Sequence, residues 1–184
     1  MPFEDLIYPS ALHDATRPQG ILFHSVEEAQ THQYVSHPKF LFLTQGDHAQ
    51  LQRAFSKKIP IIWQVHSLQS AFDALKLKGI HSVYVSISSK PILDAGWMNA
   101  ARVKGMGVVF SVRDIQRAIS QKDTAALLEF QKLARLLHKS RVPARIASFA
   151  LEPHERITAP EEQALFSHFL GTKKRLSPVI KSST

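Results

Sequence analysis

The chain has 184 residues, 44% hydrophobic and 21% charged, the proportions of one globular domain with a real core. There are 23 Lys and Arg against 15 Asp and Glu, a formal charge of +8, which favours an anionic partner such as nucleic acid. Cysteine is absent, which excludes disulfides, zinc–thiolate sites and cysteine nucleophiles and fits an intracellular protein. No apolar run nears the roughly 20 residues of a membrane span, and the opening Met-Pro-Phe-Glu-Asp lacks the pattern of a signal peptide.

The predicted elements alternate from the start. Leu6-Ile7-Tyr8 and Gly20–His24 read as short strands. Ser25 stands three residues before Glu28, a capping-box pattern for a helix to about residue 33. Lys39–Thr44 is an apolar strand, and Asp47 can cap a helix to about Phe55. Pro60–Val65 is the next strand. The helix after it is capped by Ser67, carries Leu68, Ala71, Phe72 and Leu75 on one face, and stops at Gly79. Ser82–Ile87 alternates as a strand, and residues 91–103 read as a helix ending before Gly105.

The stretch from Met106 to Ala150 is the clearest unit. Gly107–Val112 is an apolar, β-branched strand with Arg113 at its end. A helix from Asp123 to Lys139 has Ala126, Phe130, Leu133 and Leu137 on one stripe, with Asp123 or Thr124 as its cap. Pro143 stops it, and Arg145 begins the strand Ala144–Phe149. On the helix's other face Lys132, Arg135 and Lys139 lie at i, i+3 and i+7, and Arg141 follows. A solvated helix face is the ordinary explanation of such a stripe. Glu161 and Glu162 read as first-turn charge of a late helix, with Thr158 and Glu161 as its capping box.

Strand and helix thus repeat about every 20 residues, which predicts an α/β protein with a parallel sheet covered by helices. Seven or eight strands in one domain over residues 1–184 favour a TIM-barrel-like, closed or nearly closed arrangement over an open doubly wound sheet. No GxxxxGK[ST], GxGxxG, GxSxG or HExxH occurs. His24 and His66 sit at strand ends, where a barrel builds a site. The other strand ends offer Ser86, Ser111 and Ser148, poor ligands, so no catalytic or metal-binding set is expected. A small anionic metabolite as substrate would call for a glycine-rich phosphate loop, and the 7 glycines are not clustered for one.

The C-terminal half resembles ribonuclease P protein component 3, the thirty-kilodalton subunit family of archaeal and eukaryotic ribonuclease P. The resemblance lies in Ile92–Gly107, Val109–Ile115, Leu128–Val142, Arg145–Ala150, Arg156–Pro160 and Leu165–Gly171, in that order and spacing, with a fainter match at Phe3–Leu6. Two positions depart from the family. Its serine-serine-glycine-alanine turn is here Ser148-Phe149-Ala150, without the glycine, and Glu161-Glu162-Gln163 follows Pro160 where arginine and aspartate are frequent.

The resemblance implies a barrel of the polymerase and histidinol phosphatase-like kind without the metal ligands. It implies a non-catalytic RNA-binding subunit in the removal of the 5′ leader from precursor tRNA. Its partners would be the ribonuclease P RNA, precursor tRNA and a small partner protein. No cofactor would be bound by the protein, magnesium being expected on the RNA. The location would be archaeal-type cytoplasm, or nucleus or nucleolus if eukaryotic. Arg113, Lys132, Arg135, Lys139, Arg145 and Arg156 are the expected RNA contacts, the alternative for Arg145 and Arg156 being ion pairs with Glu152 or Glu155. Phe149 and Leu151, just past a strand end, are candidates for an exposed apolar edge that meets the partner protein. A metal-dependent phosphoesterase on a related barrel is the competing reading.

Overall fold

The computed structural model describes residues 6–7, 20–31, 39–44, 46–88, 90, 92–149, 164–165 and 168. Strands β1 (Leu6–Ile7), β2 (Gly20–Phe23), β3 (Lys39–Leu43), β4 (Ile61–Val65), β5 (Ile80–Val85), β6 (Gly107–Ser111) and β7 (Ala144–Ala147) form one parallel sheet. Their order in the sheet is their order in the chain. Between them lie α1 (Val26–Thr31), α2 (His48–Ser56), α3 (Leu68–Lys76), α4 (Ala95–Lys104), α5 (Val112–Ser120) and α6 (Thr124–Ser140).

Sequential order decides the architecture. Parallel crossovers are right-handed, so a sheet that always steps the same way receives every helix on the same face. The packing agrees. One core cluster joins Ile21, Leu41, Trp63, Val83 and Phe110 from the strands to Ala54, Ala71, Trp97, Ile115, Phe130 and Leu137 from the helices. The other face has no helix in its cluster, only Leu22, Phe40, Ile62, Tyr84, Val109, Ala147 and Phe149 with Phe42 against them. A twisted sheet covered on one face buries the other by curling on itself. The result is a curled, TIM-barrel-like half-barrel. Among the described residues no ladder joins β7 to β1.

The elements follow their local chemistry. Every residue of β6 is buried, as a strand packed on both faces requires. The Ser67 hydroxyl accepts from the Ser70 amide, with Ser70 answering in a capping box. Gly105 ends α4 at φ 70°. Several boundaries differ from the sequence reading: β5 starts and ends two residues earlier than expected, β7 ends two residues earlier, and two further shifts have a local cause. Residues 92–94 of the expected helix 91–103 precede α4, because the extended Asp94 is its N-cap and accepts from the Trp97 amide. Val112 and Arg113 belong to α5 rather than to β6, because Val112, Ile115 and Ala118 are buried at helical spacing and Ser111 is the cap. The late helix with its Thr158–Glu161 box lies outside the described residues, apart from the helical Ala164, Leu165 and His168. Among the described residues no helix is long and apolar enough to cross a membrane.

Trp97 pins α4 to α3. It is fully buried, and its indole Nε1 donates to the Ala71 carbonyl at 2.8 Å. Trp97→Phe removes that bond and one ring's volume, so urea unfolding should register a loss of about 1–3 kcal/mol. A change within a few tenths would show that the indole N–H contributes nothing.

Candidate nucleic-acid interface

Helix α6 has two unlike faces. Ala126, Phe130, Ala134 and Leu137 are buried, and Leu133 is half-buried. The stripe therefore turns through Ala134 rather than Leu133, which a 3.6-residue repeat permits equally well. Asp123 caps the helix, its carboxylate accepting from the Ala126 amide at 3.0 Å. Lys132, Arg135 and Lys139 are all exposed on the other face. Lys132 is engaged, its Nζ lying 2.5 Å from Glu129 Oε1. Arg135 and Lys139 meet no carboxylate among the described residues.

The six expected contacts are not one patch. Arg113 is half-buried in the first turn of α5, just beyond the end of β6. Lys139 ends α6 close to the start of β7, at the opposite end of the barrel. Arg145 lies on the inner face. Ala144 and Ile146 on either side of it pack in the helix-facing core, so alternation turns Arg145 inward, in register with Val109 and, through it, Tyr84. Arg156, with Glu152 and Glu155, lies outside the described residues.

Aromatic rings fill the mouth of the half-barrel. Phe42, Tyr84 and Phe149 meet pairwise with centroids 5.1–5.6 Å apart. Phe149, expected at an exposed edge, is only 6% exposed and is a wall of this cluster. Leu151 lies outside the described residues. Ser111 and Ser148 are buried, and Ser86 is half-buried. The Tyr84 hydroxyl donates to Asp114 Oδ2 at 2.5 Å. Burial pushes the phenol's pKa well above its usual value, and the neighbouring carboxylate adds to the effect. Sequence reasoning misses this pair, 30 residues apart, because Asp114 also suits a helix cap. The available signal is the inward parity of Tyr84 together with the carboxylate three residues beyond the next strand.

The two histidines at strand ends are exposed. The His24 amide donates to Glu28, and its ring stands edge-on to Phe42 at 6.3 Å. The His66 amide donates to Ser70 Oγ. Among the described residues no three His, Asp or Glu side chains gather into a metal-binding group. Beyond β5, a cavity of about 100 Å³ separates the 86–93 loop from α6. Ile92, Leu93, Leu133 and Leu136 form its apolar wall, with Ser86, Ser88, Lys90 and Lys132 at its polar edge. It can hold a small group with an apolar body and an anionic or hydroxylated end.

The Tyr84 pair has a measurable consequence. A phenol whose folded pKa is raised contributes stability that is fully present below the unfolded value of about 10 and is lost as pH rises through that value toward the folded one. Denaturant unfolding of the wild type should therefore weaken above that pH more steeply than that of Tyr84→Phe. Identical pH slopes for the two proteins would show that the phenol ionises as freely as in the unfolded chain.

The fold has a counterpart among solved structures. A chain in the cryo-EM structure of archaeal ribonuclease P with mature tRNA superposes with a TM-score of 0.68 at 12% identity, over 90% of this chain and 82% of that one. No protein-family model matches the sequence, and no curated protein matches it. The two chains share the half-barrel architecture.

Proposed function

We propose that this chain is an RNA-binding subunit of ribonuclease P, of the protein component 3 family, on a polymerase and histidinol phosphatase-like barrel. The observation that carries the reading is the likeness over 90% of the chain to a component of archaeal ribonuclease P. The ordered resemblance from Ile92 to Gly171 and the +8 charge support it independently. In this role the protein neutralises phosphates and holds a catalytic RNA in shape while that RNA, with its own magnesium, hydrolyses the 5′-leader phosphodiester of precursor tRNA. Lysine and arginine side chains on phosphates supply affinity and orientation without reading sequence. Arg135 and Lys139, exposed and paired with no carboxylate among the described residues, suit that task better than Lys132, which must first leave Glu129. A small partner protein completes the assembly, and archaeal-type cytoplasm is its expected location, or the nucleus or nucleolus in a eukaryote.

The competing phosphoesterase reading is less well supported. It requires carboxylates and imidazoles converging at the strand ends, where Phe42, Tyr84 and Phe149 stand and Asp114 accepts from a tyrosine.

Purified, RNA-free protein should bind ribonuclease P RNA and leave precursor tRNA uncut in magnesium. Replacing Lys132, Arg135 and Lys139 together by Ala should lower the slope of log affinity against log salt by about 0.9 for each phosphate that is no longer neutralised. The melting temperature should hardly move, since all three are exposed. Leader removal by the protein alone would overturn the subunit reading. An unchanged slope would reduce the stripe to a solvated helix face.

A further inference from the structure

Most of the described carboxylates stand at one end of the half-barrel, beside Arg113 and Lys90, and a row of exposed bases stands at the other. Glu27, Glu28, Asp47, Asp94 and Asp114 all stand at or beside helix N-termini, the end where the strands finish. At the other end each turn leading into β4, β5, β6 and β7 carries exposed base. Lys57 and Lys58 precede β4, Lys78 precedes β5, Arg102 closes α4 before β6, and Arg141 precedes β7.

These turns touch one another in series. A Cβ on Gly79 would come within 2.8 Å of the Phe55 ring, so the turn before β5 lies on the end of α2. Lys104 at the end of α4 donates to the Leu75 and Leu77 carbonyls. The Val108 amide donates to the Pro143 carbonyl at 2.8 Å, joining the start of β6 to the turn before β7. The basic rim is therefore continuous from Phe55 to Arg141.

Helix C-termini attract cations, and that alone accounts for bases in the last turns. It does not account for the rest. Lys57 and Arg141 are the C-caps of α2 and α6, Lys58 and Lys78 lie past the helix ends, and none of the four meets a carboxylate among the described residues. Lys58 and Arg141 have φ of 57° and 56°, the left-handed conformation where glycine is the default. The chain places long cationic side chains where the backbone favours none. Phe55, 51% exposed, stands among them. An aromatic face set between lysines is the arrangement that takes a stacked base and its flanking phosphates.

We propose that this rim binds a single-stranded segment of RNA, with Phe55 stacking on a base and Lys57, Lys58, Lys78 and Arg141 contacting its phosphates. The proposal rests on the RNA-binding reading above and adds a surface distinct from the middle of the α6 stripe.

The test uses the full chain and a short labelled oligouridylate, with ribonuclease P RNA and anionic lipid vesicles as further probes. Phe55→Ala should weaken oligouridylate binding about tenfold, the worth of one stacked base. Lys58→Gly with Arg141→Gly should lower the salt slope by about 0.7 for each phosphate released while the melting temperature holds or rises. Lys57→Ala, at an unstrained position, should lower it in the same way and serves if the double variant unfolds. Wild-type affinity and slope in all these variants, with the parent still binding RNA, would overturn the rim and leave the RNA-binding reading standing. A parent that binds neither RNA would overturn both. Capture by vesicles but not by oligouridylate would reassign the rim to a membrane surface and overturn the proposal.

Discussion

The structure depends on a sheet that has helices on one face only. The helix-facing side can draw on Trp97, Phe130 and Leu137 to cover Trp63, Val83 and Phe110. The inner side must cover itself with residues from the strands and their ends. Leu22, Phe40, Ile62, Tyr84, Val109 and Phe149 meet that demand because curling brings strands distant in the sheet face to face. In a barrel enzyme the mouth is where chemistry is assembled. Here that space holds three packed aromatic rings, one of them a tyrosine hydrogen-bonded to a carboxylate. The helices and turns of the outer surface can vary without touching this inner packing.

On that outer surface, electrostatics favours the end opposite to the mouth. Carboxylates at helix N-termini are favoured by the exposed amides there. The same dipoles favour cations at the helix C-termini, so part of the basic rim follows from backbone geometry alone. The bases at and beyond the helix ends add to the positive charge of this rim, and clustered charge of one sign raises the rate at which oppositely charged partners approach.

Most of the fold is legible in the sequence because its signals are local. Strands such as Gly107–Ser111 are short β-branched runs, and helices such as α6 carry a periodic stripe and a cap. The boundary at Ser111–Val112 escapes a sequence reading because a strand and a helix meet there without a loop, and Val112 suits both. The candidate contacts are less legible. Arg145 reads as a flanking base until the register shows that its neighbours Ala144 and Ile146 face the helices. The Tyr84–Asp114 bond and the serial contact of the helix-to-strand turns join residues far apart in sequence; strand parity hints at the first, and no spacing rule finds the second.

Phe149 shows how a residue can be held in a backbone conformation that its own side chain disfavours. Phe149 ends the chain's path out of β7 and turns its ring onto Phe42 and Tyr84. Its φ is 49°, the left-handed region that suits glycine and costs other residues about 1–2 kcal/mol. Glycine there would remove the strain and leave the inner face open beside Phe42 and Tyr84. Burying a phenylalanine is worth about 1.5–3 kcal/mol, and each aromatic contact adds about 0.5–1.5. The packing term exceeds the backbone cost, so phenylalanine at this position stabilises the half-barrel more than glycine would. The strained turn is held by the rings it meets, and the inner face is closed by a residue that the backbone alone would not choose.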